Sequence, residues 1–186
     1  MTWQAPEAYR REPTSVVVTL QPAMPDTDRL LRELLELYVE ELSGIFSVEG
    51  GADGRFGYDK LPLYWTDPDA HHAFLILADS HVAGFVLATR GSPAGDMATD
   101  LDVAEFFVLP AYRRSGVGRR AAIALWDQLP GRWVVRVSEA NGAGLHFWAD
   151  VIASYTSGAY VARHQPGEPG DWRIFTFTSA VVPIES

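Results

Sequence analysis

FFVLPAYRRSGVGRRAAIALW, Phe106 to Trp126, is the stretch from which the rest of the chain is read. An apolar, β-favouring run ends at Pro110. Arg113 to Gly118 then read R-R-S-G-V-G, and an Ala-rich amphipathic segment follows. The order strand, glycine turn, helix aims several backbone N–H groups, and the positive end of a helix dipole, at one point beyond the strand's carboxyl end. Gly116 and Gly118 carry no side chain, so an anion can approach the main chain there. Arg113 and Arg114 add forked cationic donors suited to phosphate.

The turn lacks the G-K-[ST] ending of a nucleoside-triphosphate loop, so no lysine reaches terminal phosphates and no hydroxyl holds magnesium. It also lacks the third glycine at dinucleotide-fingerprint spacing. A pyrophosphate attached to something other than a dinucleotide is the remaining natural ligand.

The chain has 186 residues, 47% of them hydrophobic, which fits one domain with a real core. We expect a polar leader over residues 1–13, containing Pro6 and Pro13, and a single domain over 14–186. No apolar run reaches the ~20 residues of a membrane span, and the N-terminus lacks a secretory h-region, so no membrane partner is expected. Absence of cysteine rules out disulfides, thiolate metal sites and a cysteinyl acyl intermediate, and is compatible with the cytoplasm. A net charge of −9 argues against nucleic acid and favours the approach of a cationic amine. His71, His72, His81 and His164 show no metal-ligand spacing, so no metal is expected.

Along the chain, Ser15–Leu20 reads as a strand ended by Pro22 and Pro25, with Asp26 or Thr27 as a helix N-cap. From Asp28, Leu31, Leu35, Tyr38 and Leu42 recur at helical spacing. Phe46–Asp69 reads as a long loop with a helical turn near Tyr58–Trp65. Strands follow at Ala73–Ala78, Val82–Thr89 and Leu101–Leu109, then a helix at Gly116–Leu129 and a strand at Trp133–Val137. Asn141 opens a last helix, and Tyr160–His164 with Arg173–Thr178 form a hairpin about QPGEPGD. This order predicts an α+β domain with a mixed, mostly antiparallel sheet and helices on both faces.

Val108–Gly118, V-L-P-A-Y-R-R-S-G-V-G, resembles the acyl-CoA signature R/Q-x-x-G-x-G/A of the GNAT superfamily of N-acyltransferases, and the order of elements is similar to that fold. The resemblance implies acetyl-CoA as co-substrate. Its pyrophosphate would lie on Arg113, Arg114, Ser115, Gly116, Val117 and Gly118, and its pantetheine arm on a splayed strand that includes Phe107 and Val108. By the same comparison the Val108 N–H polarises the thioester carbonyl, Asn141 contacts the cofactor, and the Phe46–Asp69 loop covers the acceptor. Tyr58, Asp59 and Trp65 would then present an acidic and aromatic surface to a small-molecule or peptide amine, although aromatics in such a loop equally often close the core. Asn141 has a second reading as a helix N-cap. The resemblance leaves room for a homodimer.

An alkyl ammonium, with a pKa of about 10.4, costs roughly 4–5 kcal/mol to neutralise at pH 7, so a base in a dry cleft is expected. Asp102 and Glu105 lie on the strand before the turn; their odd spacing predicts opposite faces of the sheet. Glu105 is favoured, because a charge inside AEFFV requires a reason, with pairing to Arg136 as the structural alternative. The tyrosine that in the family protonates the leaving thiolate, seven residues after the asparagine, is replaced by Trp148, an indole and no useful acid. Tyr155 or His146 could substitute. The sequence thus predicts an N-acetyltransferase acting by direct attack in a ternary complex. A degenerate acyl-CoA-binding sensor, or a transferase using a longer acyl chain or a non-amine acceptor, is the rival reading.

Overall fold

The computed structural model describes residues 16–95, 100–167 and 170–179; the expected leader at 1–13 lies outside these. Seven strands form one sheet in the order β1-β2-β3-β4-β5-β7-β6. They are β1 (Val18–Pro22), β2 (His71–Ala78), β3 (His81–Arg90), β4 (Leu101–Val108), β5 (Gly131–Ser138), β6 (Val161–Gln165) and β7 (Trp172–Ser179). Every neighbouring pair is antiparallel except β4 and β5. β1 runs through Pro22, past the expected stop, because an edge strand tolerates a residue without an N–H. β2 and β3 join through Asp79 and Ser80, both left-handed (φ 48° and 66°), the backbone that matches a tight hairpin to strand twist.

Among the described residues four α-helices cover the sheet: α1 (Asp28–Ser43), α2 (Leu63–Thr66), α3 (Val117–Gln128) and α4 (Gly142–Tyr155). Leu31, Leu34 and Leu35 of α1 and Tyr64 of α2 pack on Phe85, Leu87 and Phe107 at one face. Ala121, Leu125 and Trp126 of α3 and Trp148, Val151 and Ile152 of α4 pack on Val86, Trp133 and Val135 at the other. Thr27 precedes α1, but its hydroxyl turns back to Met24 O at 2.7 Å instead of capping the helix. Among the described residues no helix is long and apolar enough to cross a membrane.

Two irregularities in β4 shape the site. Leu87 pairs with Glu105 and Ala88 with Val103, so Ala104 is an extra residue bulged out of the ladder. The bulge reverses the alternation: Leu101 and Val103 face the α3–α4 layer, and so do Phe106 and Val108. Asp102 and Glu105 therefore share the α1 face, and the opposite placement expected from their odd spacing is corrected. Secondly, β4 and β5 pair only at Leu101↔Trp133 and Asp102↔Val134, then part company.

Candidate active site

Where β4 and β5 separate, a cleft of about 330 Å³ opens. Phe106, Val137 and Trp148 line one part of it, and Tyr38, Phe46 and Trp172 another. Phe46, just beyond α1, stacks on Trp172 of β7 with ring centroids 6.2 Å apart and planes at 14°, closing one end with a flat aromatic pair.

Glu105 projects into this cleft. Its Oε2 accepts from the Tyr38 hydroxyl at 2.7 Å and its Oε1 from the Tyr58 hydroxyl at 3.0 Å. Burial pushes the carboxyl above its ordinary value. The Tyr38 and Tyr58 hydrogen bonds, then the charges of Arg136 and Lys60, pull back without cancelling that rise. Burial, reinforced by the Glu105 charge, drives both tyrosine hydroxyls upward, so they stay protonated donors at neutral pH. An ionised carboxylate offers about four acceptor positions, so the two tyrosines leave room for an ammonium or a water.

Asp102 makes a different arrangement on the same face. Arg136 Nε and Nη2 donate to its two carboxylate oxygens at 2.9 and 3.0 Å, and Ser92 Oγ donates to Oδ2 as well. Its side chain has no exposed surface, so it has no opening from which to take a substrate proton. The partner considered for Glu105 in the sequence thus belongs to Asp102. Burial disfavours the Arg136 charge, but hydrogen bonding to Asp102 and the charges of Asp102 and Glu105 outweigh it and raise its pKa.

The glycine turn follows β4 as expected. Leu109 N donates to Ala83 O of β3 at 2.8 Å; by strand alternation the Val108 N–H points to the opposite edge, where β5 has parted. Gly116 starts α3 in the left-handed region (φ 79°), and Arg113 to Gly116 are all exposed. The first N–H groups of α3, from Val117 and Gly118 onward, have no acceptor inside the helix. At Gly118 a Cβ would stand 3.3 Å from the Phe147 ring of α4 and in ordinary contact, 3.6 Å, with Val108 Cγ2, so the helix start lies against both. Open main-chain donors at a helix start, beside a gap between strands, fit a pyrophosphate with an extended arm.

Arg113 departs from the expected phosphate role. Its Nη1 and Nη2 donate to Glu41 at 3.0 and 2.7 Å, its Nε donates to Val108 O at 2.7 Å, and its main-chain N–H donates to Pro110 O. The side chain ties α1 to the end of β4, stacked over Phe107 at 5.5 Å. Arg114, Ser115 and Gly116 form the exposed turn, and Val117 and Gly118 begin α3. Asn141 both lines the cleft and caps α4, accepting from Gly144 N at 2.9 Å.

The other expectations divide. Tyr58 reaches Glu105, whereas Asp59 is exposed and Trp65 donates to Asp28 at 2.8 Å, fastening α2 to the start of α1. Tyr155 lies two turns, about 10 Å, along α4 from Trp148 and is not among the residues lining the cleft. Its hydroxyl donates to Asp127 of α3 at 2.9 Å, and burial with this bond pushes it up to about 12, which suits a structural tie and not an acid for a thiolate. Tyr38 and Trp172 were not expected in the site, whereas Phe46 and Lys60 belong to the loop expected over the acceptor but were not singled out within it. Tyr38 carried a signal: a lone hydroxyl on the apolar stripe of α1 must find a partner when buried.

A sheet opened between parallel strands, with a glycine turn at a helix start and a half-buried carboxylate in the opening, is the architecture of an acyl-CoA acyltransferase. The Acetyltransferase (GNAT) family profile matches residues 31–150, and the chain belongs to that family. An acetyltransferase from Thermus thermophilus has the same fold, with a TM-score of 0.63 at 19% identity, over 88% of this chain and 98% of that one. Spermidine N-acetyltransferase from Vibrio cholerae, solved with CoA and spermine, superposes with a TM-score of 0.62 at 14% identity, over 87% and 95% of the two chains. A protein from Salmonella typhimurium described as an acetyltransferase, solved with acetyl-CoA, gives 0.61 at 12%, over 91% and 98%. No curated protein sequence matches significantly.

Proposed function

We propose that the chain is an acetyl-CoA-dependent N-acetyltransferase that passes an acetyl group to a primary amine by direct attack in a ternary complex. The observation that carries this reading is the Glu105 carboxylate, half-buried in the β4–β5 opening, raised in pKa and steadied by two tyrosine hydroxyls. Acetyl-CoA, when bound, supplies an acyl group activated as a thioester. Family membership supports that choice, as do two structural neighbours solved with CoA or acetyl-CoA.

The chain's own residues then have separable tasks. Arg114 to Gly118 offer main-chain donors to the pyrophosphate, and the Val108 N–H is aimed into the opening to polarise a carbonyl. Phe107 backs that strand from the α1 side. Glu105 takes the ammonium proton, and its raised pKa brings it closer to the operating pH, where a base works best. Tyr38 and Tyr58 fix its orientation; Asp102 holds Arg136 away from it.

Trp148 favours a second reading, a member that binds acyl-CoA without turnover, because no acid stands at that position. Measuring CoA release from acetyl-CoA across a panel of amines separates the two. Release with a primary amine supports the transferase; tight CoA binding with no release from any amine leaves the sensor.

A further inference from the structure

The charges around the cleft restrict which amines can occupy it. Among the described residues lining it, Glu105 is the sole carboxylate, whereas Lys60 and Arg136 are cationic. Asp102 is sealed behind Arg136, and Glu41 is held by Arg113. Lys60 has no carboxylate in ion-pair contact among the described residues, and its charge acts on Glu105 from across the cleft. A polyamine would place its first ammonium at Glu105 and then meet the Lys60 charge, since Arg136 is already neutralised by Asp102, and that is costly in a partly dry site. An acceptor with one ammonium and one carboxylate has the complementary pattern. The wall also holds a flat aromatic stretch, Phe46 stacked on Trp172 with Tyr38 and Trp148 among the other lining residues, while Ser138 and Asn141 add polar groups.

Building on the acetyl-transfer reading, we infer that the acceptor is a zwitterion, an α-amino acid with an apolar or aromatic side chain. Glu105 receives its ammonium and Lys60 its carboxylate. Transfer forms the amide C–N bond and breaks the thioester C–S bond. Of the three ammonium protons, one stays on the amide, one ends on the departing sulfur and one leaves through Glu105 to water. Acetylation removes the positive charge that Glu105 holds, so the product is bound more weakly than the acceptor.

The test compares phenylalanine and leucine with phenethylamine and isoamylamine, the same bodies without the carboxylate, and with spermidine, by CoA release. Each amino acid is expected to exceed its decarboxylated counterpart, and spermidine, at least tenfold in kcat/KM. Lys60→Glu and Lys60→Met should each lower the amino-acid-to-amine ratio at least tenfold; because Lys60 is an exposed loop residue, both variants should fold. Preference for the bare amines or spermidine, or a ratio that neither variant moves, overturns the inference while leaving acetyl transfer intact. If no acceptor releases CoA although CoA binds, the transfer reading itself fails and this one with it.

Discussion

The Tyr38 hydroxyl, on α1, donates at 2.7 Å to Glu105 Oε2 in the fourth strand, 67 residues away in the chain. With Tyr58 on Oε1, it fixes both carboxylate oxygens and commits Glu105 to one direction in the cleft. Glu105→Gln keeps the size and a hydrogen-bonding amide but removes the base. A general base contributes about 10²–10⁴-fold, so kcat should fall at least ~100-fold. Calorimetric titration should give the same CoA affinity as wild type, because the turn at Arg114–Gly118 is untouched. Unchanged turnover would retire Glu105 as the base.

The acid limb of the pH–rate profile should lie above the usual glutamate range, because burial raises this carboxyl. Tyr38→Phe and Tyr58→Phe remove donors that favour the charged form, so each should move that limb to higher pH, Tyr38→Phe the further. Stability has its own sign. The carboxyl binds its proton more tightly folded than unfolded, so the fold loses stability as pH rises from the unfolded-state value through the folded-state one. Melting temperature against pH should show that decline in wild type and lack it in Glu105→Gln.

How much of this was legible in sequence follows from the range of each interaction. Strand, glycine turn and helix were visible because their signals lie within a few residues, from Phe106 to Gly118. Glu105 stood out because its four neighbours are apolar or small. The Ala104 bulge was invisible: it depends on the register of β3 against β4, and without it Asp102 and Glu105 fall on opposite faces. Arg113 looked like a phosphate ligand because its partner, Glu41, lies 72 residues away and only the packing of α1 brings them together. Tyr155 was placed by counting along a helix, which keeps the face but moves the residue two turns down the axis. Lys60 and Trp172 lie far apart in the chain and come to one cleft only through the opened sheet.

Asp102 and Arg136 form a pair whose removal should be felt in stability before catalysis. Asp102 is fully buried, and the Arg136 side chain is 27% exposed. Asp102→Ala leaves a guanidinium without its bidentate partner, a loss of about 3–5 kcal/mol in comparable buried pairs. Urea denaturation should show that decrease. Replacing both partners with apolar residues, Asp102→Leu with Arg136→Met, should recover most of it, since neither charge is then stranded. If the single variant lost less than about 1 kcal/mol, Arg136 would have found another acceptor, with Glu105 the nearest candidate.

Gly116→Ala separates the turn's two tasks. The residue has φ 79°, a conformation that costs an L side chain about 1–2 kcal/mol, and its new Cβ would stand 3.1 Å from Arg120 Nη1. Arg120 also donates to Ser115 O at 2.9 Å, so any shift of its guanidinium disturbs the main chain at the start of α3. Denaturation should therefore report a modest loss of stability, and titration with CoA a weakening of at least ~10-fold. Gly142→Ala is the comparison: it also lies at a helix start, with open space where its Cβ would stand and no positive φ. That variant should bind CoA as wild type does. A Gly116→Ala protein that lost stability yet kept full CoA affinity would show that the bend serves the fold alone, and the pyrophosphate would have to be sought elsewhere on the sheet.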